Sequence, residues 1–133
     1  MSQPIVFISH SRVKESKLDG LVQLLREAEK RLEAEKPRTL ASLAYLTNDA
    51  QVTIFHIFAD ADSFDIHVQG AEERLRGWDE FVETPTLEIY GKPSDLVLEA
   101  MGHPATSGAA LSGQPEFIGG FLRLNSGRSV ASE

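Results

Sequence analysis

The decisive stretch is Gln51-Val52-Thr53-Ile54-Phe55-His56-Ile57-Phe58-Ala59, followed at once by Asp60-Ala61-Asp62-Ser63-Phe64. Its β-branched and aromatic residues favour a pleated strand. Side chains on a strand alternate, so Val52, Ile54, His56 and Phe58 share one face, and Thr53, Phe55, Ile57 and Ala59 the other. Both faces are apolar. In a chain of 133 residues, such a strand needs helices on one side and a second body on the other. The simplest second body is another copy of the chain.

Upstream, Thr39–Thr47 reads as a partner strand joined through Asn48-Asp49-Ala50, residues that tolerate hairpin geometry. Before it, Leu18, Leu21, Val22, Leu25, Ala28 and Leu32 recur at helical spacing, with Leu24 widening the stripe, and Pro37 ends the pattern. The first strand, Ile5–His10, begins after Pro4 and is again apolar on both faces.

Downstream, Asp60 to Ser63 offers an N-cap and first-turn acids for a helix over Ser63–Gln69, with Phe64, His67 and Val68 on one face. Gly70 interrupts it. A second helical piece over Ala71–Val82 would place Leu75, Trp78 and Phe81/Val82 on one stripe. A strand over Thr86–Tyr90 and a helix over Leu96–Met101, capped by Ser94-Asp95, follow. The order β-α-β-β-α-β is the ferredoxin-like split βαβ arrangement, an α+β fold with an antiparallel sheet. Residues 1–101 make up that domain. Residues 102–133 form a Gly-rich C-terminal extension holding six of the ten glycines, with one expected strand at 116–124 and a flexible tail.

Composition narrows the function classes. The absence of cysteine excludes a disulfide framework, a thiolate metal site and a catalytic thiol. The net charge of −7 is uneven: residues 48–99 carry twelve acidic against three basic side chains. That balance disfavours nucleic acid and anionic membrane surfaces as partners. The longest apolar runs are four or five residues and the N-terminus lacks a signal-peptide pattern, so a cytoplasmic protein is expected. No dinucleotide, P-loop, nucleophile-elbow or zinc-hydrolase motif occurs.

The strand Ile5–His10, the amphipathic helix, the hairpin Thr39–Ala59, and Phe55-His56-Ile57-Phe58-Ala59-Asp60 running into Ser63-Phe64-Asp65-Ile66-His67 resemble the antibiotic-biosynthesis-monooxygenase-like proteins of the dimeric α+β barrel superfamily. The similarity spans about residues 4–91. It implies two ferredoxin-like subunits paired sheet to sheet, which accounts for strands apolar on both faces. It also implies a chemistry found in some members: oxygenation of electron-rich aromatics such as quinols and anthrones by O₂ without cofactor. A deprotonated, delocalised substrate then gives the electron itself, and the protein supplies an apolar pocket and a proton acceptor.

On this resemblance His67 matches a helix-two histidine and is the expected proton acceptor, since imidazole titrates near neutrality. The bland alternative is a buried histidine bonded to backbone. His56 has two open readings: beside His67 in one pocket, or satisfied at the dimer interface. Phe64, Trp78 and Tyr45 are the candidate substrate-pocket residues, each weighed against ordinary core packing. No metal ligand set is recognisable, because two histidines eleven residues apart lack a third partner. The acids Glu72, Glu73, Asp79, Glu80 and Glu83 read as a solvated face. Haem degradation fits less well. Some haem-degrading and monooxygenase relatives carry a functional Asn where Ser9 and His10 stand, and in the haem degraders a Trp precedes the histidine, whereas Trp78 follows His67. The expectation is a homodimer without cofactor, acting on a small aromatic ligand. The alternative is a non-catalytic small-ligand-binding or stress-related homodimer.

Overall fold

The computed structural model describes residues 3–48, 50–102 and 110–123. In chain order the elements are β1 (Ile5–Arg12), α1 (Leu18–Glu35), β2 (Thr39–Thr47), β3 (Gln51–Phe58), α2 (Ala61–Val68), α3 (Ala71–Arg74), α4 (Trp78–Phe81), β4 (Thr86–Tyr90), α5 (Asp95–Gly102) and β5 (Ala110–Gln114). The strands form one sheet in the order β2-β3-β1-β4-β5. Neighbours among the first four run antiparallel, the ferredoxin-like arrangement, while β5 joins β4 in parallel.

Register sorts the side chains. Ile5 lies opposite Phe58, Phe7 opposite His56, Ser9 opposite Ile54, and Phe7 also opposite Ile89. These residues therefore share the face on which the helices pack. One core cluster joins Ile5, Phe58, Phe64, Ile89 and Val97, and a second joins Leu21, Val52, Ile54 and Val82. From α1, Leu21, Ala28 and Leu32 are buried, the middle of the apolar stripe. The opposite, open face carries Val6, Ile8, Phe55 and Ile57, all partly exposed, with Leu43 and Tyr45 from β2. Burying each large apolar side chain fully is worth about 1.5–3 kcal/mol, so a face left this apolar is costly in water.

Two expectations are corrected. The helix over Ala71–Val82 is split into α3 and α4, because Gly77 adopts φ 86°, a left-handed conformation that ends one turn and starts the next. Within the extension, the strand is Ala110–Gln114, and residues 116–123 pair with no strand. Gly119 and Gly120 interrupt that stretch, with Gly120 at φ 145°, so it gains little from joining a ladder. Leu124 and the expected tail after Asn125 lie outside the described residues. Among the described residues no helix is long and apolar enough to cross a membrane.

Candidate functional site

Helix α2 is held on the sheet at both ends. At its start Asp60 is the N-cap: its carboxylate accepts the Ser63 N–H at 2.8 Å and the Ser63 hydroxyl at 2.7 Å. Arg38 donates to the same oxygen at 3.1 Å. These bonds, the two to Ser63 first, hold the Asp60 carboxyl below the usual range. At the far end the buried Arg74 guanidinium donates to the carbonyls of His67 at 2.8 Å and Gln69 at 3.2 Å. A cation there satisfies carbonyls the helix leaves orphaned and complements its dipole. The Ser94 hydroxyl ties α2 to α5 by donating to Asp65 at 2.7 Å while accepting the Val97 N–H.

So anchored, α2 presses Ser63, Phe64 and His67 onto the sheet. The rings of His56 and His67 lie 4.6 Å apart. His56 stacks between Phe7 at 5.8 Å and Phe58 at 6.3 Å, and Phe64 closes on Phe58 at 4.9 Å. The Nδ1 of His67 is 3.1 Å from the Thr39 hydroxyl. The Nδ1 of His56 is buried and has no hydrogen-bond partner among the described residues. Such an atom costs roughly 1–3 kcal/mol. Among the described residues it is the one fully buried side-chain polar atom without a hydrogen-bond partner.

The electrostatics run one way. Burial, then the Arg74 charge, lowers the His56 pKa to about 4. Burial, then His56, Arg74 and Lys36, lowers His67 to about 2. Both imidazoles are therefore neutral at physiological pH. Behind them Glu29, which accepts the Ser42 hydroxyl at 2.8 Å, is pushed up by burial against the opposing pull of Ser42 and Arg74.

Of the expected site residues, His56, His67 and Phe64 come together. His56 faces the helices, not the far side of the sheet. Trp78 packs in the second core cluster with Leu21, Val52, Ile54 and Val82, because α4 is a separate turn beyond Gly77. Tyr45 lies opposite Thr53 on the open face, 54% exposed and edge-on to Phe55. A single pocket walled by Phe64, Trp78 and Tyr45 is thus not formed. The hairpin register carries the signal: Thr47 pairs with Gln51, which puts Tyr45 on the face away from His56.

Sequence reasoning missed Arg74, hidden beside the exposed acids Glu72 and Glu73. It also missed a polar chain on the open face. There Glu88 takes His10 Nε2 at 2.7 Å and the Tyr90 hydroxyl at 3.0 Å, and His10 Nδ1 is 3.1 Å from the Thr53 hydroxyl. The His10 contact, then that of Tyr90, lowers the Glu88 pKa, and Glu88 in turn raises that of Tyr90. Among the described residues no three His, Asp or Glu side chains gather as a metal ion would require.

No model of a known protein family matches the chain, and no curated protein does. Solved structures do. MupZ from Pseudomonas fluorescens superposes with a TM-score of 0.69 at 15% identity, covering 92% of this chain and 91% of its own. A "putative antibiotic biosynthesis monooxygenase" from Nitrosomonas europaea gives 0.59 at 14% identity, covering 69% and 92%. A protein of the same description from Caulobacter crescentus gives 0.57 at 13%, covering 66% and 88%. The chain therefore has the fold of the antibiotic-biosynthesis-monooxygenase-like proteins.

Proposed function

We propose that this chain is a homodimeric, cofactor-independent monooxygenase-like protein acting with O₂ on a small aromatic, quinol- or anthrone-like substrate. The observation that carries the reading is His56 Nδ1, buried without a partner in a layer of rings. A substrate hydroxyl or enol meets that nitrogen. His67, already engaged with Thr39, backs His56 and fixes its position. The expected proton acceptor thus moves from His67 to its neighbour.

The electrostatics suit an anionic substrate. An imidazole near pKa 4 is a weak base, but a phenolate or enolate at its nitrogen opposes both burial and the Arg74 charge. His56 becomes a competent acceptor only while the substrate is there. Arg74, fixed on α2, favours that same anion. The anion passes one electron to O₂. Recombination of substrate radical and superoxide forms a C–O bond, and uptake of a proton gives a hydroperoxide. For an anthrone, loss of water then leaves the carbonyl, so one CH₂ and one O₂ become one C=O and one H₂O. Phe7, Phe58 and Phe64 fill this space as folded, so a ring enters only if the Phe64 side chain swings aside while α2 stays anchored.

O₂ uptake with a panel of quinols and anthrones tests the reading. Wild type should exceed the spontaneous rate, and His56→Ala should fall back to it. Equal slow rates for both would sink the catalytic role. A ligand that raises Tm without any O₂ uptake would instead favour the non-catalytic dimer. A Soret titration distinguishes haem binding from both.

A further inference from the structure

We infer that residues 115–123 are an exchange arm, which leaves its own subunit and docks on the sheet of a second copy of this chain. Beyond β5 the chain runs Pro115-Glu116-Phe117-Ile118-Gly119-Gly120-Phe121-Leu122-Arg123, exposed throughout. Ile118 is 100% exposed and Phe121 76%, with Phe117 and Leu122 near 40%. Four large apolar side chains in nine residues are not left in water by a segment that has nothing to cover. None of the four belongs to either core cluster, and although Phe117 and Leu122 are partly covered, Ile118 and Phe121 stand in solvent.

The pattern of the arm is that of a strand. Phe117, Gly119 and Phe121 alternate with Ile118, Gly120 and Leu122. The paired glycines, which make it a poor lone strand, let another backbone approach closely. A receiving surface exists on the same molecule. The outer edge of β2 pairs with no strand among the described residues, and β2 shows Leu43 and Tyr45 on the open face. An extended segment adding to such an edge gains main-chain bonds and side-chain pockets together. Because Ile118 and Phe121 stay uncovered in their own subunit, the edge they meet belongs to another copy.

The comparison with MupZ adds weight. That match covers 92% of the chain, more than the first 101 residues contain, so it runs into the extension, whereas the two monooxygenase-named structures stop near two thirds. The extension is thus part of a shared architecture.

The inference rests on the homodimer of the reading above, and the test separates them. Sedimentation equilibrium is run on the full chain, on Ile118→Glu, and on a chain ending at Gln114. Ile118 touches nothing in its own subunit, so Ile118→Glu cannot act by unfolding it, and circular dichroism should be unchanged. We expect a dimer for the full chain and a dissociation constant raised at least about tenfold in both variants, as losing one desolvated apolar anchor implies. If both variants dimerise as tightly as the parent, the arm is overturned while the dimer stands. A parent that stays monomeric at about 100 µM overturns both.

Discussion

The imidazoles of His56 and His67 lie 4.6 Å apart, one from the sheet and one from α2, and neither can hold a proton near neutral pH. Two ionisable rings packed together in an apolar layer are stable only while both are neutral. That makes the layer an acid-sensitive part of the fold.

Stability should therefore fall as pH drops below about 6.5, where the unfolded histidines begin to bind protons that the folded ones refuse. The contribution is fully present above pH 6.5. It is lost through pH 4 for His56 and continues toward pH 2 for His67. With both rings neutral in the fold the slope reaches at most about 2.7 kcal/mol per pH unit. Urea unfolding between pH 7 and 5, above the carboxylate range, measures it. A flat profile there that His56→Phe leaves unchanged would refute neutral burial.

Arg74→Met should destabilise by about 2–4 kcal/mol, since it strands the buried carbonyls of His67 and Gln69. Removing the charge should also raise the pKa of both histidines, which Arg74 holds down. NMR titration of the imidazoles separates this from a packing defect. Unmoved histidine titrations in a folded variant would show that Arg74 acts through its bonds alone.

Gly91→Ala and Gly77→Ala should differ. Both glycines have positive φ, 107° and 86°, but a Cβ at Gly91 would meet the Pro4 carbonyl oxygen at 2.7 Å, while at Gly77 it meets open space. Gly77→Ala should cost about 1 kcal/mol from backbone strain, and Gly91→Ala about 2–4 kcal/mol, because backbone must also shift. Chemical denaturation of the pair checks the order.

Tyr45→Glu should weaken self-association and leave the subunit folded. The ring is 54% exposed on the open face, away from His56. A charge there costs little in the subunit but is desolvated in a sheet-to-sheet dimer. Dimerisation as tight as the parent's would move the interface off this face.

Much of the fold was legible in the sequence because its signals are local. The boundaries of β2 and β4 follow from Thr39–Thr47 and Thr86–Tyr90 as read, and the α1 stripe centres on Leu21, Ala28 and Leu32. Of the caps offered between Asp60 and Ser63, Asp60 is the one used, so α2 begins at Ala61, two residues before the expected Ser63. The errors fall where a glycine's conformation or a distant partner decides. Gly77 divides one expected helix into two turns. The extension's strand forms at Ala110–Gln114, where β4 offers an edge, although Glu116–Leu124 has the more strand-like composition.

The sequence by itself determined the order of strands and helices, and that the central strands are apolar on both sides. Alternation and helical period are properties of neighbouring residues. Only the tertiary structure decided which face of β3 the helices cover. With that face it settled that His56 meets His67, that Arg74 seals the end of α2, and that Tyr45 stands on the other side. Those outcomes depend on register between strands far apart in the chain, where a shift of one residue sends every side chain to the opposite face.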